Sequence, residues 1–223
     1  MLATVIAQAQ WRIGITGGAT YNHYTIDKHY MEDWHYKGAW GKMVMNNNTV
    51  SIGTIGVMGQ YDFNDWFGVR MDMNFTAKNH KQHRTLVETD YETINKYFQV
   101  PVMASFSFGG KKIRGFLNAG IYGGYWCTSH NSGTQTFVES RISISGLVEN
   151  KFEKKRDQRF DYGLVCGAGL EWKFDFLKRK WAWQIMEARV YYSTHSTQKD
   201  YMKIKDPKYN TTLALQSGLC YFF

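Results

Sequence analysis

The chain of 223 residues contains no stretch of about 18 uncharged apolar residues, so no segment of it can cross a bilayer as a helix. Proline is nearly missing, with two residues in the whole chain. Cysteine is scarce and odd in number. Cys127, Cys166 and Cys220 cannot build a disulfide framework, and at least one stays unpaired. Cys166 and Cys220 fall within predicted strands, as small packing residues rather than a redox pair. No Cys/His spacing fits a zinc site. The loop histidines (His23, His29, His35, His80, His83) also lack tight ligand spacing, so no metal and no cofactor is expected. The net charge of +8 is spread along the chain, and its densest cluster, Lys151 to Arg159, is interrupted by Glu153 and Asp157. That scatter argues against a nucleic-acid surface and fits contact with lipid phosphates.

What is present is unusual in another way. Aromatic residues make up 17% of the chain and glycine contributes 21 residues, while mean hydropathy is −0.45. With helices excluded, two classes remain. One is a soluble β-protein. The other is a membrane barrel, which like the helix satisfies every backbone group in lipid.

Alternation with period two points to the barrel. Phe67, Val69, Met71, Met73, Phe75 and Ala77 share one face of a strand; Gly68, Arg70, Asp72, Asn74, Thr76 and Lys78 share the other. The soluble sandwich would rarely hold an apolar face unbroken for so long. The same pattern recurs in segments beginning near Trp11, Ile55, Phe98, Leu117, Tyr162, Trp181 and Leu213, which makes eight strands. Connections alternate as well. Short ones fall at 64–65, 109–112 and 175–180; long polar ones fall at roughly 27–48, 79–93, 128–158 and 197–208. An even strand number with alternating short and long connections is the pattern of bacterial outer-membrane barrels, with short turns in the periplasm and long loops outside. Aromatics such as Trp11, Trp66, Phe108, Trp172, Trp181 and Phe223 gather at the short-turn ends, where an interfacial girdle belongs. The expected fold is therefore an all-β, eight-stranded antiparallel transmembrane up-and-down barrel in the bacterial outer membrane.

Three local features refine it. Residues 1–9 read as the end of a secretory signal, with Ala7 and Ala9 as the small-x-small pair before the cut. Residues 10–223 then form the barrel domain. Ile142, Ile144 and Leu147 alternate briefly within the third long loop and predict a hairpin above the membrane; a ten-stranded barrel is the competing reading. Pro101 lies inside the fourth strand, where its missing N–H predicts a bulge.

The inward face carries Arg12, Arg70, Lys173 and Arg189 against Asp72, Asp161, Glu171 and Glu187. Eight strands enclose a space that side chains just fill, and charges buried there must pair. A structural salt-bridge plug is the leading reading, and a gated small-ion path or ligand pocket is the other. Ser193 and His195, near Ser196, sit together at the outer end of the seventh strand. They are rim candidates for chemistry on lipid A, yet spacing supplies no acidic partner, so no catalytic residue is assigned.

Four segments carry a resemblance. Asn95-Lys96-Tyr97-Phe98-Gln99-Val100-Pro101-Val102 opens the fourth strand, and Phe160-Asp161-Tyr162-Gly163-Leu164-Val165-Cys166-Gly167-Ala168-Gly169-Leu170-Glu171 forms a glycine-rich sixth. With Glu187-Ala188-Arg189-Val190-Tyr191-Tyr192 and the ending Tyr221-Phe222-Phe223, the chain resembles the PorT-like outer-membrane barrel family of the Bacteroidetes. Cys166 and the long third loop depart from that pattern. The resemblance implies insertion by the barrel assembly machinery, which would read Leu219, Tyr221 and Phe223 as a C-terminal signal. It also implies contact with outer-membrane lipid and lipopolysaccharide, and other envelope proteins as possible partners. One family member serves the type IX secretion system. The expected role is non-enzymatic, structural or interacting through the external loops; the alternatives are a secretion accessory and a lipid A-modifying enzyme.

Overall fold

The computed structural model describes residues 10–26, 34–36, 39–41, 43–46, 48–84, 88–137, 142–149, 151–152, 157–176, 179–197, 199 and 208–223. The proposed signal end at 1–9 lies outside them. The strands are β1 (Gln10–Ile26), β2 (Trp34–Tyr36), β3 (Ala39–Gly41), β4 (Met43–Asn46), β5 (Asn48–Asp62), β6 (Phe67–Ala77), β7 (His80–Arg84), β8 (Glu88–Gly109), β9 (Ile113–Phe137), β10 (Ile142–Glu149), β11 (Phe160–Phe176), β12 (Arg179–Ser193) and β13 (Lys208–Phe222). Eight of them form the barrel in the cyclic order β1-β5-β6-β8-β9-β11-β12-β13, each antiparallel to its sequence neighbour among the eight. The ring closes where β1 pairs with β13 from Arg12–Phe222 to Ile26–Lys208.

Register shows how the ring is staggered. From Tyr21, partners run through Leu213, Val190, Cys166, Ala119, Ala104, Val69 and Tyr61 back to β1 at Trp11. The path returns ten residues from its start, and such a stagger goes with strongly tilted strands. Every residue on it belongs to the lipid-facing parity.

The usual inside–outside rule is inverted, because the solvent outside is lipid. Ile55 is 69% exposed, Ile121 64% and Leu164 57%, whereas Arg70, Asp72, Glu187 and Arg189 are wholly buried. Burial alternates residue by residue along β6. At the short-turn end, ring contacts run Trp11–Tyr61–Phe63–Phe67–Phe106 and Trp181–Tyr221–Phe223, at centroid separations of 4.8 to 5.6 Å. These form the periplasmic girdle. The tight turn after β8 uses Gly109 at φ 113°, a region that side chains avoid.

Two expectations change in detail. No register shift occurs at Pro101, which faces the lumen and pairs with Tyr122 of β9. Pairing with β6 lapses only between Met71–Val102 and Asn74–Gln99, with register kept on both sides. A proline already suits an extended backbone, so its missing donor removes a ladder bond without adding a residue. The bulge at this seam lies instead on β9, where Cys127 is the extra residue opposite Lys96 and Tyr97. The long loops, moreover, are partly strand. β8 and β9 run to 22 and 25 residues and stay paired up to Glu88–Thr136. Outside the membrane both faces of a strand meet water, so no apolar alternation marks it in the sequence. β10 pairs with β9 from Ile142–Phe137 to Glu149–His130, whereas β11 joins β9 lower down, from Phe160–Tyr125. The hairpin therefore stands above the barrel, and the wall has eight strands.

Candidate functional site in the barrel lumen

Inward parity on tilted strands brings charged side chains into three layers. In the middle layer, Arg70 and Asp72 come from β6, and Glu187 and Arg189 come from β12. These two strands lie diametrically opposite and run parallel. Arg70 binds Asp72 at 2.8 Å and reaches across to Glu187 at 3.2 Å. Arg189 binds Glu187 at 2.9 Å and reaches across to Asp72 at 2.7 Å. The result is a closed ring of four charges with 0% side-chain exposure. Asn118 and Gln216 each donate to Glu187 at 2.9 Å, and Arg189 donates to the Tyr191 hydroxyl at 3.1 Å. Buried charges cost several kcal/mol each to desolvate, and this geometry offsets that cost by giving each ion two opposite partners.

The periplasmic layer is looser. Arg12 holds Asp62 at 2.7 Å and Glu171 at 2.8 Å, and its guanidinium lies 5.2 Å from the Phe222 ring. Lys173 reaches Glu171 only at 3.8 Å, is 28% exposed, and also faces Phe222. The outer layer joins Lys78 to Asp161 at 2.6 Å, with the ammonium between the rings of Tyr97 and Tyr122. Tyr122 and Ser193 donate to the same carboxylate at 3.1 and 2.7 Å.

All eight lumen residues singled out in the sequence thus lie on the inner face, and all are ion-paired. Two partners were missed, Asp62 and Lys78. Both lie on inward parity at strand ends, and that parity was the available signal. Glycines accommodate the large groups. A Cβ on Gly169 would meet the Phe116 ring at 2.5 Å, and one on Gly167 would meet Glu187 at 3.0 Å.

The rim pair is not assembled as a nucleophile and base. Ser193 is buried and gives its hydroxyl to Asp161, whereas the His195 ring stacks on Tyr162 at 4.8 Å and shares a hydrogen bond with its hydroxyl at 3.1 Å. Cys220 lies on the inner face with Sγ 3.2 Å from the Met58 sulfur, and Cys166 faces outward, so the two cannot pair. Among the described residues no three His, Cys, Asp or Glu side chains gather as metal ligands; His29 and the side chains of His35, His80 and His83 lie outside them. Leu219, Tyr221 and Phe223 occupy the outer face of the last strand.

A family model for the outer membrane protein beta-barrel domain matches residues 6–198. The chain belongs to that family and is a protein of the outer membrane. Among solved structures it is similar to the attachment invasion locus protein Ail of Yersinia pestis, at 17% identity over 96% of this chain and 99% of that one, TM-score 0.40. It is also similar to OprG of Pseudomonas aeruginosa, at 14% identity over 97% of both chains, TM-score 0.47. A third similarity is to Neisserial surface protein A, at 12% identity over 95% of this chain and 96% of that one, TM-score 0.42. Comparison with curated proteins returns no match.

Proposed function

We propose that the protein is a non-enzymatic outer-membrane barrel whose lumen is closed and whose work is done by the β-structure standing outside the membrane. The observation that carries this reading is the cross-lumen ring of Arg70, Asp72, Glu187 and Arg189, which ties opposite walls together and leaves each charge paired. A path through that ring would have to separate ions already desolvated, which costs several kcal/mol. Function then moves to β7, β10 and the extensions of β8 and β9. Planar-bilayer recording of the purified protein is the direct test. No large stable conductance is expected, and one would overturn the reading.

A PorT-like accessory of a type IX-like secretion system is the second reading, supported by the segments at 95–102 and 160–171. Co-purification of other envelope proteins with the barrel is its expected consequence, and purification alone from cross-linked membranes would sink it. A lipid A-modifying activity is disfavoured by the engagement of Ser193 with Asp161 and of His195 with Tyr162. Lipid A mass profiles are expected to be the same with and without the protein. On the same reading, Leu219, Tyr221 and Phe223 present the assembly signal to the insertion machinery.

A further inference from the structure

The outer wall carries an apolar groove that runs across the strands rather than along them. One part, about 1000 Å³, passes from Trp172 and Trp183 over Gly17 and Ser217 to Phe75 and Phe98. A second, about 530 Å³, shares Gly17, Ile55 and Phe75 and extends past Gly53 and Ala77 to Lys96. The groove exists because outward positions on adjacent strands are small. Gly17 pairs with Ser217 on one side and with Ile55 on the other, so the backbone of the inward residues Thr16 and Gly218 joins the floor. The outward hydroxyl on its floor is occupied. Ser217 donates to the Gln184 carbonyl at 2.8 Å and accepts from the Trp183 indole at 3.0 Å. Nothing along the floor asks for a polar ligand.

A recess in a wall surrounded by bilayer is filled by lipid chains, and its upper end says which lipid. On β8 the outward residues descend from Phe98 through Val102 and Phe106 to Phe108 as an apolar band. Lys96 is the first charge above that band, exposed on the outer face beside Ala77. No ion pair to Lys96 is found among the described residues. It therefore sits at the headgroup level of the outer leaflet. Its upper part, from Gly17 on β1 past Ile55 and Phe75 to Lys96 on β8, crosses three strand spacings, roughly 14 Å. That is about half of the hydrocarbon thickness of about 30 Å, the depth of one leaflet, while the lower part runs on to Trp172 near the periplasmic girdle. We propose that the upper part of the groove holds one acyl chain of lipid A, the phosphorylated glycolipid anchor of lipopolysaccharide, with a headgroup phosphate on the Lys96 ammonium.

Native mass spectrometry of the detergent-solubilised full chain, titrated with lipid A, tests this. The wild type is expected to retain one lipid A through delipidation, and more tenaciously than phosphatidylcholine, whose headgroup carries no net charge. Lys96→Gln is expected to weaken retention about fivefold, the worth of one cation at a lipid surface, and Lys96→Arg to restore it. Ser217→Leu, which fills the floor, should weaken lipid A and phosphatidylcholine alike. Heat-modifiable gel migration identifies variants that fold. Equal retention of lipid A by folded wild type and Lys96→Gln would overturn the proposal, as would equal retention of the two lipids by the wild type. Should Ser217→Leu not fold, Gly17→Val at the paired position gives the same readout.

Discussion

The middle and the periplasmic end of the lumen contain the same kinds of side chain and hold them differently. In the middle, each of four ions touches two of opposite sign and none is exposed. At the mouth, Arg12 is as tightly held, but Lys173 is 28% exposed and 3.8 Å from its carboxylate. The difference follows from position. β6 and β12 face each other across the full diameter, so their charges have no water to turn to. Lys173, near the turn, can extend to the periplasm. Burial makes the same ion pair a structural bolt in one place and a loose contact in the other.

The largest expected effect comes from exchanging Arg70→Asp with Asp72→Arg, which keeps composition and inverts order. It sets a carboxylate against Glu187 and a guanidinium against Arg189. Refolding into lipid vesicles is expected to fail or to lose more stability than any single deletion. A well-folded exchange would show that the order along the strand is unimportant. Asp72→Ala leaves two buried guanidiniums sharing one carboxylate and should cost about 3–5 kcal/mol in urea unfolding. Lys78→Met strands Asp161 more mildly, because Tyr122 and Ser193 still donate to it. A loss of about 1–3 kcal/mol is expected from the same measurement. Lys173→Gln, partly solvated, should change stability by no more than about 1 kcal/mol. If Lys173→Gln matched Asp72→Ala, the contrast between mouth and middle would collapse.

The inner faces were legible in the sequence because lipid and lumen demand opposite chemistry on alternate residues. Phe67 to Lys78 could hardly be written another way. The eight charges were legible for the same reason. Asp62 and Lys78 escaped as partners because Asp62 meets Arg12 diagonally on the adjacent strand and Lys78 meets Asp161 three strands away, and no local spacing encodes either register or stagger. The unbroken strand at Pro101 and the paired extensions of β8 and β9 were also beyond reach. The first depends on neighbours that keep register through a lost bond. The second depends on strands that lack an apolar face.

By itself, then, the sequence determined the membrane, the number of wall strands and the facing of the charged residues along them, since each follows from a period of two repeated along the membrane-spanning segments. Only the tertiary structure decided that Arg70-x-Asp72 and Glu187-x-Arg189 complement one another. Their strands run parallel on opposite walls, and in that direction alone does arginine meet glutamate and aspartate meet arginine. The groove below Lys96 belongs to the same category. It is made by Gly17, Gly53, Ala77 and Ser217, residues that are unremarkable in sequence and become neighbours only through the stagger of the closed ring.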